Sequence, residues 1–132
     1  MTTIDAALKR IPYAVHLGLR SLADGRFEAG PDERFIGNPM LRAFHGGALF
    51  GLMECAMAAA AMAHYGLDAP PRLVNMTTSY LSSSTVDACV TIQVRLVKTG
   101  RRIAALEAEV FQRDRAVAAA SSLFRAPSSS AP

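Results

Sequence analysis

The sequence predicts an α+β domain in which an antiparallel sheet curls round one long central helix. Residues 46–63 form an almost wholly apolar run, which is typical of a helix enclosed in a core. After this run, several segments alternate apolar and polar residues with period two, as strands do when they bury one face. Strands of that kind can enclose a helix that is apolar nearly all round, and this combination predicts the architecture.

The segment before the central helix contains three predicted pieces. Residues 3–11 are predicted to form a short amphipathic helix, which Pro12 ends because proline cannot continue the hydrogen-bond ladder. Alternation from residue 17 onward and an Asp-Gly turn predict two strands. Residues 35–44 are predicted to be irregular, because a Gly-Asn-Pro sequence marks a turn there.

The central helix is predicted to end near His64, with Gly66 as its C-cap. The strands predicted after it cover residues 72–81, 86–96, 103–110 and 116–125. The tail at residues 126–132 is small and polar and is expected to be disordered. We therefore expect a single domain over residues 1–125.

Composition excludes several function classes. The chain has 132 residues and a net charge of +3, and its basic residues are scattered rather than gathered on one face, so nucleic-acid binding is not expected. Two cysteines and three widely separated histidines offer neither a disulfide framework nor a metal site, and no cofactor is implied. The N-terminus lacks the apolar region of a secretory signal, so we expect a cytoplasmic protein.

The apolar run itself is long enough to span a membrane. It is rich in Ala and Gly rather than Leu and Ile, and Glu54 lies at its middle. A carboxylate at the centre of a bilayer is costly, so a buried helix of a soluble domain is the preferred interpretation.

Glu54 is the one charged residue in this helix and has no basic residue one turn away. Burial of an unpaired carboxylate costs several kcal/mol or raises its pKa, so stability alone does not favour Glu at this position. Glu54 is therefore a candidate catalytic group. The alternative is that its side chain reaches solvent or pairs with an Arg from a distant strand.

Two glycines, Gly46 and Gly47, follow His45 at the predicted helix start. The first N–H groups of a helix have no intrahelical partner and carry the positive end of the dipole, which suits a carbonyl oxygen that gains negative charge. The alternative is a tight turn that needs glycine for steric reasons alone.

The segment from His45 to residue 60, His-Gly-Gly-Ala-Leu-Phe-Gly-Leu-Met-Glu-Cys-Ala-Met-Ala-Ala-Ala, resembles the core motif of hotdog-fold thioesterases of the PaaI-like and 4-hydroxybenzoyl-CoA thioesterase type. In that family a His-Gly-Gly opens the central helix and an acidic residue follows nine positions after the His, as Glu54 does here. The resemblance covers about residues 11–125.

This resemblance implies hydrolysis of acyl-CoA thioesters. It implies that the N–H group of Gly46, with Gly47, polarises the thioester carbonyl and that Glu54 is the nucleophile or the general base. Asn38 corresponds to an Asn or Gln that positions water or the carbonyl, although it precedes His45 by seven residues where the family has six. Candidates for contacts with coenzyme A or substrate are Lys98, Arg101, Arg102 and Thr77, with Thr78 as the neighbouring possibility. A solvated hairpin is the alternative for the three basic residues.

Gly46 and Glu54 are eight residues apart, which is roughly 12 Å along a helix. Because one carbonyl carbon cannot contact both, a shared substrate requires that they come from different subunits. The sequence thus predicts a homodimer with two interfacial sites, in agreement with the resemblance, and leaves open whether dimers form a tetramer. A non-catalytic acyl-CoA-binding module remains the alternative function.

Overall fold

The structure is a computed structural model and describes residues 2–127. One helix, α3 (Gly46–Tyr65), packs against a six-stranded antiparallel sheet. The strand order across the sheet is β1 (Arg20–Ser21), β2 (Phe27–Ala29), β6 (Val90–Thr99), β7 (Ile103–Gln112), β8 (Arg115–Arg125) and β5 (Arg72–Tyr80). The predicted α+β architecture, with the sheet packed on one central helix, is confirmed.

Two short helices and a small hairpin complete the fold. The helices α1 (Ile4–Lys9) and α2 (Pro12–Leu17) both contact α3. A 3₁₀ turn (Glu33–Phe35) leads into the hairpin of β3 (Ile36–Asn38) and β4 (Ala43–Phe44), which delivers the chain directly to the start of α3. The hairpin therefore sets where the central helix begins.

The boundaries of α3 follow from its capping residues. The His45 side chain accepts a hydrogen bond from the N–H of Gly47, and Gly66 adopts the left-handed conformation (φ 68°) that favours glycine at a helix C-terminus. The helix is long and apolar enough to cross a membrane, but 61% of its most apolar stretch is buried inside the fold, as in the core helix of a globular domain.

The two faces of the sheet differ in composition. Residues facing α3 are apolar and buried, such as Ala108 of β7 and Ala120 of β8. Their sequence neighbours face outward, where Glu107 lies opposite Ser121. This alternation reproduces the predicted period-two pattern and places the core between α3 and one face of the sheet.

Several boundaries differ from the sequence prediction. The helix predicted over residues 3–11 is α1 (Ile4–Lys9), and a second helix that was not predicted, α2, follows it with Pro12 at its first position. The strand predicted from residue 86 begins at Val90, and the segment predicted as irregular contains the β3–β4 hairpin. Ala126, the first residue of the predicted tail, is buried and donates its N–H to the Arg102 carbonyl oxygen at 2.6 Å. Residues 128–132 of that tail lie outside the described residues.

Candidate active site

Glu54 lies at a partly open position in the middle of the central helix. From Leu49 to Ala59 every residue is buried except Phe50 and Glu54, which are separated by one helical turn. Gly47, one turn before Phe50, lies on the same face and is exposed. The carboxylate, a phenyl ring and the helix start therefore share one accessible face of α3.

The surroundings of Glu54 raise its proton affinity. Burial raises the pKa of Glu54 above its ordinary value of 4.5. No salt bridge or hydrogen bond to the side chain is formed within residues 2–127, so the predicted ion pair with a distant Arg does not occur in this part of the chain. The other predicted alternative is met in part, because Glu54 is partly exposed to solvent. An unpaired and partly desolvated carboxylate is a stronger base than an exposed one.

The neighbouring thiol has a different character. Burial, with a smaller contribution from the charge of Glu54, raises the pKa of Cys55 to about 12. The thiol is protonated at neutral pH and packs in the core. Cys55 is therefore not a nucleophile.

The first turn of α3 distinguishes its two glycines. Gly47 donates its N–H to Nδ1 of His45 at 2.8 Å. The N–H groups of Ala48 and Leu49 donate to the His45 carbonyl oxygen. Gly46 has no acceptor for its N–H among residues 2–127. Of the two predicted donors, Gly46 is the one available to a ligand.

The β3–β4 hairpin explains the unexpected spacing between Asn38 and His45. Ile36 pairs with Phe44 and Asn38 pairs with Ala43, so Gly37 is an extra, bulged residue. A Cβ atom on Gly37 would lie 2.6 Å from the Cα of His45, so only glycine allows this approach. The bulge accommodates the additional residue, so that Asn38 pairs with Ala43 and Gly37 lies against His45.

The Asn38 side chain already has a structural role. Its Oδ1 accepts hydrogen bonds from the N–H groups of Met40 (3.0 Å) and Leu41 (3.3 Å), which closes the hairpin turn. Its amide nitrogen donates to no acceptor within residues 2–127 and remains available. A role in positioning water or carbonyl oxygen would use that nitrogen.

Arg42 holds the hairpin in place, and sequence reasoning did not identify it. Its backbone is in the left-handed region (φ 51°), where glycine is usual. Its guanidinium contacts both Asp87 oxygens, at 2.6–3.1 Å, and Glu33 at 2.8 Å. These ion pairs and the bond from Val86 N–H to the Arg42 carbonyl oxygen tie the hairpin to the segment before β6.

Strand β5 lies alongside α3 and presents alternate residues to it. Thr78 pairs with the buried Ala120 and therefore faces the helix, and its buried Oγ1 has no hydrogen-bond partner among residues 2–127. Thr77 pairs with the exposed Ser121 and lines a groove of about 610 Å³ on the opposite face of the sheet. Thr77 therefore faces away from α3, and Thr78 is the threonine beside α3.

At the end of β5, Tyr80 covers the helix start. Its hydroxyl donates to the Gly46 carbonyl oxygen at 2.8 Å. A Cβ atom on Gly46 would lie 3.1 Å from the tyrosine ring, so glycine admits the ring here. Sequence reasoning placed Tyr80 near the end of a predicted strand but gave it no role, because its contact with Gly46 joins residues 34 positions apart.

The predicted basic residues lie at the other end of the central helix. The Tyr65 hydroxyl donates to the Gly100 carbonyl oxygen at 2.7 Å, which joins the C-terminal end of α3 to the β6–β7 hairpin. Arg101 and Arg102 line a groove of about 580 Å³ there. Neither arginine, nor Lys98, forms a salt bridge within residues 2–127. They are distant from Gly46, roughly 28 Å along the helix axis.

The apolar side chains near the site fall into two groups. Four of them are core residues, namely Phe35, Phe44, Met53 and Met57. Phe50 is partly exposed, and Met40 is 93% exposed at the hairpin tip. No group of three His, Cys, Asp or Glu side chains in residues 2–127 could hold a metal ion.

Comparison with known proteins points to one family. The family model described as the thioesterase superfamily matches residues 42–119. No curated protein is significantly similar in sequence. Among solved structures, a Bordetella bronchiseptica protein from the thioesterase superfamily has 24% identity and a TM-score of 0.84, covering 94% of this chain and 96% of its own.

Two further structures share the fold. The PaaI protein from the phenylacetic acid degradation operon of E. coli has 18% identity and a TM-score of 0.76, covering 91% of this chain and 92% of its own. A hypothetical thioesterase from Streptococcus pneumoniae with coenzyme A has 20% identity and a TM-score of 0.70, covering 83% of this chain and 84% of its own. The architecture of this chain is the hotdog fold of these proteins.

Proposed function

Because the chain belongs to the thioesterase superfamily, we propose that it hydrolyses an acyl-CoA or related thioester with Glu54 as nucleophile or general base. The observation that carries this proposal is the position of Glu54. It is an unpaired, partly buried carboxylate with a raised pKa, on the same open helix face as the exposed helix start. A purely structural helix of this kind has no need for an acid at this point.

The proposed reaction uses two groups. The Gly46 N–H group donates to the thioester oxygen as negative charge develops on it. As general base, Glu54 accepts a proton from water while the water oxygen attacks the carbonyl carbon, and the C–S bond then breaks to release the thiolate of CoA. As nucleophile, a Glu54 oxygen attacks instead, and water hydrolyses the resulting mixed anhydride.

A homodimer is part of the proposal, because one helix cannot bring Gly46 and Glu54 to the same carbonyl group. Strand β5 is an edge strand of nine residues, and its open side pairs with no described residue. Long edge strands pair readily with another copy of the same chain. Tyr80 and Leu81, at the end of this edge, are both more than half exposed.

The relative positions of β5 and α3 indicate where the two-fold axis would lie. Tyr80 bonds to Gly46, so the two are at the same level. Gly46 and Glu54 are roughly 12 Å apart along the helix, a length that corresponds to between three and four residues of a strand. Counted back along β5 from Tyr80, this length brings Glu54 to about the level of Met76. An axis near Thr78 would therefore bring each Gly46 to the level of the partner's Glu54.

The β6–β7 hairpin, which carries Lys98, Arg101 and Arg102, has a place in the same proposed dimer. Tyr65, at its base, follows Glu54 by eleven residues, or roughly 16 Å of helix. We propose that Arg101 and Arg102, with Lys98, bind the phosphates of coenzyme A whose thioester is held at the shared site. The structural neighbour with coenzyme A supports a ligand of this class.

The experiment that tests the function measures CoA release from a panel of aromatic and short-chain acyl-CoA esters. Wild type should hydrolyse at least one ester, and Glu54→Gln should lose about 100-fold or more in kcat. The exposed Glu109 provides the matched control, since Glu109→Gln removes a carboxylate from the other face of the sheet. Undiminished hydrolysis by Glu54→Gln would remove Glu54 from the mechanism.

Binding of the same esters, measured by calorimetry, separates the two functions. A thioesterase should show hydrolysis by wild type and intact binding by Glu54→Gln. Wild type that binds CoA esters and hydrolyses none would instead support the acyl-CoA-binding module.

A further inference from the structure

The side chain of Tyr80 lies against Gly46, the residue that carries the proposed oxyanion donor. Its hydroxyl donates to the Gly46 carbonyl oxygen at 2.8 Å, and its ring carbons lie 3.1–3.3 Å from the position that a Gly46 Cβ atom would take. The side chain is nevertheless 54% exposed. The Tyr80 ring therefore contacts Gly46 closely on one side and faces solvent on the other, unlike a side chain packed in the core.

The hydroxyl group also belongs to a longer chain of hydrogen bonds. The carbonyl group of Gly46 and the N–H group of Gly47 are the two ends of one peptide unit. That N–H donates to Nδ1 of His45 at 2.8 Å. The chain therefore runs from the Tyr80 hydroxyl through the Gly46–Gly47 peptide to the imidazole ring, and each bond in such a chain polarises the next.

This chain determines which ring nitrogen of His45 carries the proton. An Nδ1 atom that accepts a hydrogen bond is unprotonated, so the neutral ring carries its hydrogen on Nε2. His45 is exposed, and its Nε2 atom has no hydrogen-bond partner among residues 2–127. The helix start then presents two donors in a fixed relation.

We propose that Tyr80 is a positioning residue, which acts through the Gly46–Gly47 peptide to hold His45 in the Nε2–H tautomer and the Gly46 N–H in line for the thioester oxygen. This inference rests on the proposed hydrolysis for its kinetic consequence, but its structural consequence is independent of any activity. It also explains why position 46 is glycine, since a side chain there would displace the tyrosine ring.

The test compares Tyr80→Phe with Tyr65→Phe. Each variant removes one hydroxyl that donates to a glycine carbonyl oxygen, at opposite ends of the same helix. The first readout is the pair of ¹⁵N imidazole signals of His45, assigned by their loss in His45→Asn. Wild type and Tyr65→Phe should show a protonated Nε2 and an unprotonated Nδ1, and Tyr80→Phe should move both signals toward the average of the two tautomers.

The second readout is the kinetics on the best acyl-CoA ester. Tyr80→Phe should lower kcat about tenfold, the effect of losing one neutral hydrogen bond, with KM within about twofold of wild type. Tyr65→Phe loses the bond that anchors the proposed CoA-binding hairpin, so its effect should fall on KM and not on kcat. Unchanged imidazole signals in Tyr80→Phe, or an equal fall in kcat for both variants, would overturn the proposal. If no ester is hydrolysed, the proposed function fails and the imidazole signals alone decide the role of Tyr80.

Discussion

The N–H group of Gly47 donates a 2.8 Å hydrogen bond to Nδ1 of His45, which leaves Gly46 as the glycine with an available N–H at the helix start. Two adjacent glycines in one motif therefore have different roles. Gly47 belongs to the helix cap, and Gly46 is the proposed donor to the substrate.

Substitutions at Gly46 can separate its N–H group from its small size. Gly46→Pro removes the N–H at the first helical position, where proline is tolerated, and the extended His45 before it (ψ 135°) has the conformation that proline requires. Gly46→Ala keeps the N–H and adds the same Cβ atom against Tyr80. We expect kcat to fall about 100-fold further in the proline variant than in the alanine variant.

Melting temperature and steady-state kinetics of both variants check this prediction. Similar melting temperatures with a large difference in kcat would assign the effect to the N–H group. Equal kcat values in folded Gly46→Pro and Gly46→Ala proteins would contradict a role for that group.

The raised pKa of Glu54 predicts both activity and stability as functions of pH. The reaction needs the carboxylate, so log kcat should fall on the acid side at a pH above that of an ordinary glutamate, whose pKa is 4.5. Because the pKa of Glu54 is higher in the folded protein than in the unfolded chain, the folded state favours the protonated carboxyl group. The contribution of this group to the free energy of unfolding is therefore present at low pH and is lost as the pH rises through the raised pKa. Denaturant unfolding at pH 8 should therefore show Glu54→Gln to be at least as stable as wild type, and a marked loss of stability would indicate a missing partner instead.

The two cysteines should differ in reactivity at neutral pH. Cys55 is buried with a pKa of about 12, so its thiolate is scarce, whereas Cys89 is exposed. We expect iodoacetamide at pH 7.5 to add one group to each folded chain, at Cys89, with kcat unchanged. Mass spectrometry of wild type and Cys89→Ser checks this, and inactivation of Cys89→Ser by the reagent would contradict an unreactive Cys55.

The shared sites of the proposed dimer predict complementation between inactive subunits. A hybrid of Gly46→Pro and Glu54→Gln chains has one site with both defects and one intact site. Random exchange of equal amounts should restore about one quarter of wild-type activity, since about half of the dimers are hybrids. Exchange is verified by native mass spectrometry of tagged subunits, and hybrid dimers without activity would place Gly46 and Glu54 of one site in the same chain.

Much of the fold is predictable because it depends on local periodicity. The apolar run at residues 46–63 required enclosure, and the alternation after it required strands with one buried face, so the architecture followed from these patterns. The N-terminal segment was harder, because Pro12 is compatible both with the end of one helix and with the start of the next.

Register could not be predicted in the same way. β5 has an irregularity between Leu73 and Asn75, and one extra residue exchanges the two faces for every residue beyond it. Thr77 therefore faces outward and Thr78 faces the helix. The bulge at Gly37 similarly absorbs the additional residue between Asn38 and His45.

The sequence by itself determined the enclosed helix, the sheet packed on it, and the unusual carboxylate at position 54, because period and composition act over a few neighbouring residues. Only the tertiary structure decided which glycine keeps a free N–H, which threonine faces α3, and that Tyr80 lies on the helix start. Those outcomes depend on contacts between residues as far apart as Gly46 and Tyr80 and on single-residue shifts of register, which no local pattern encodes.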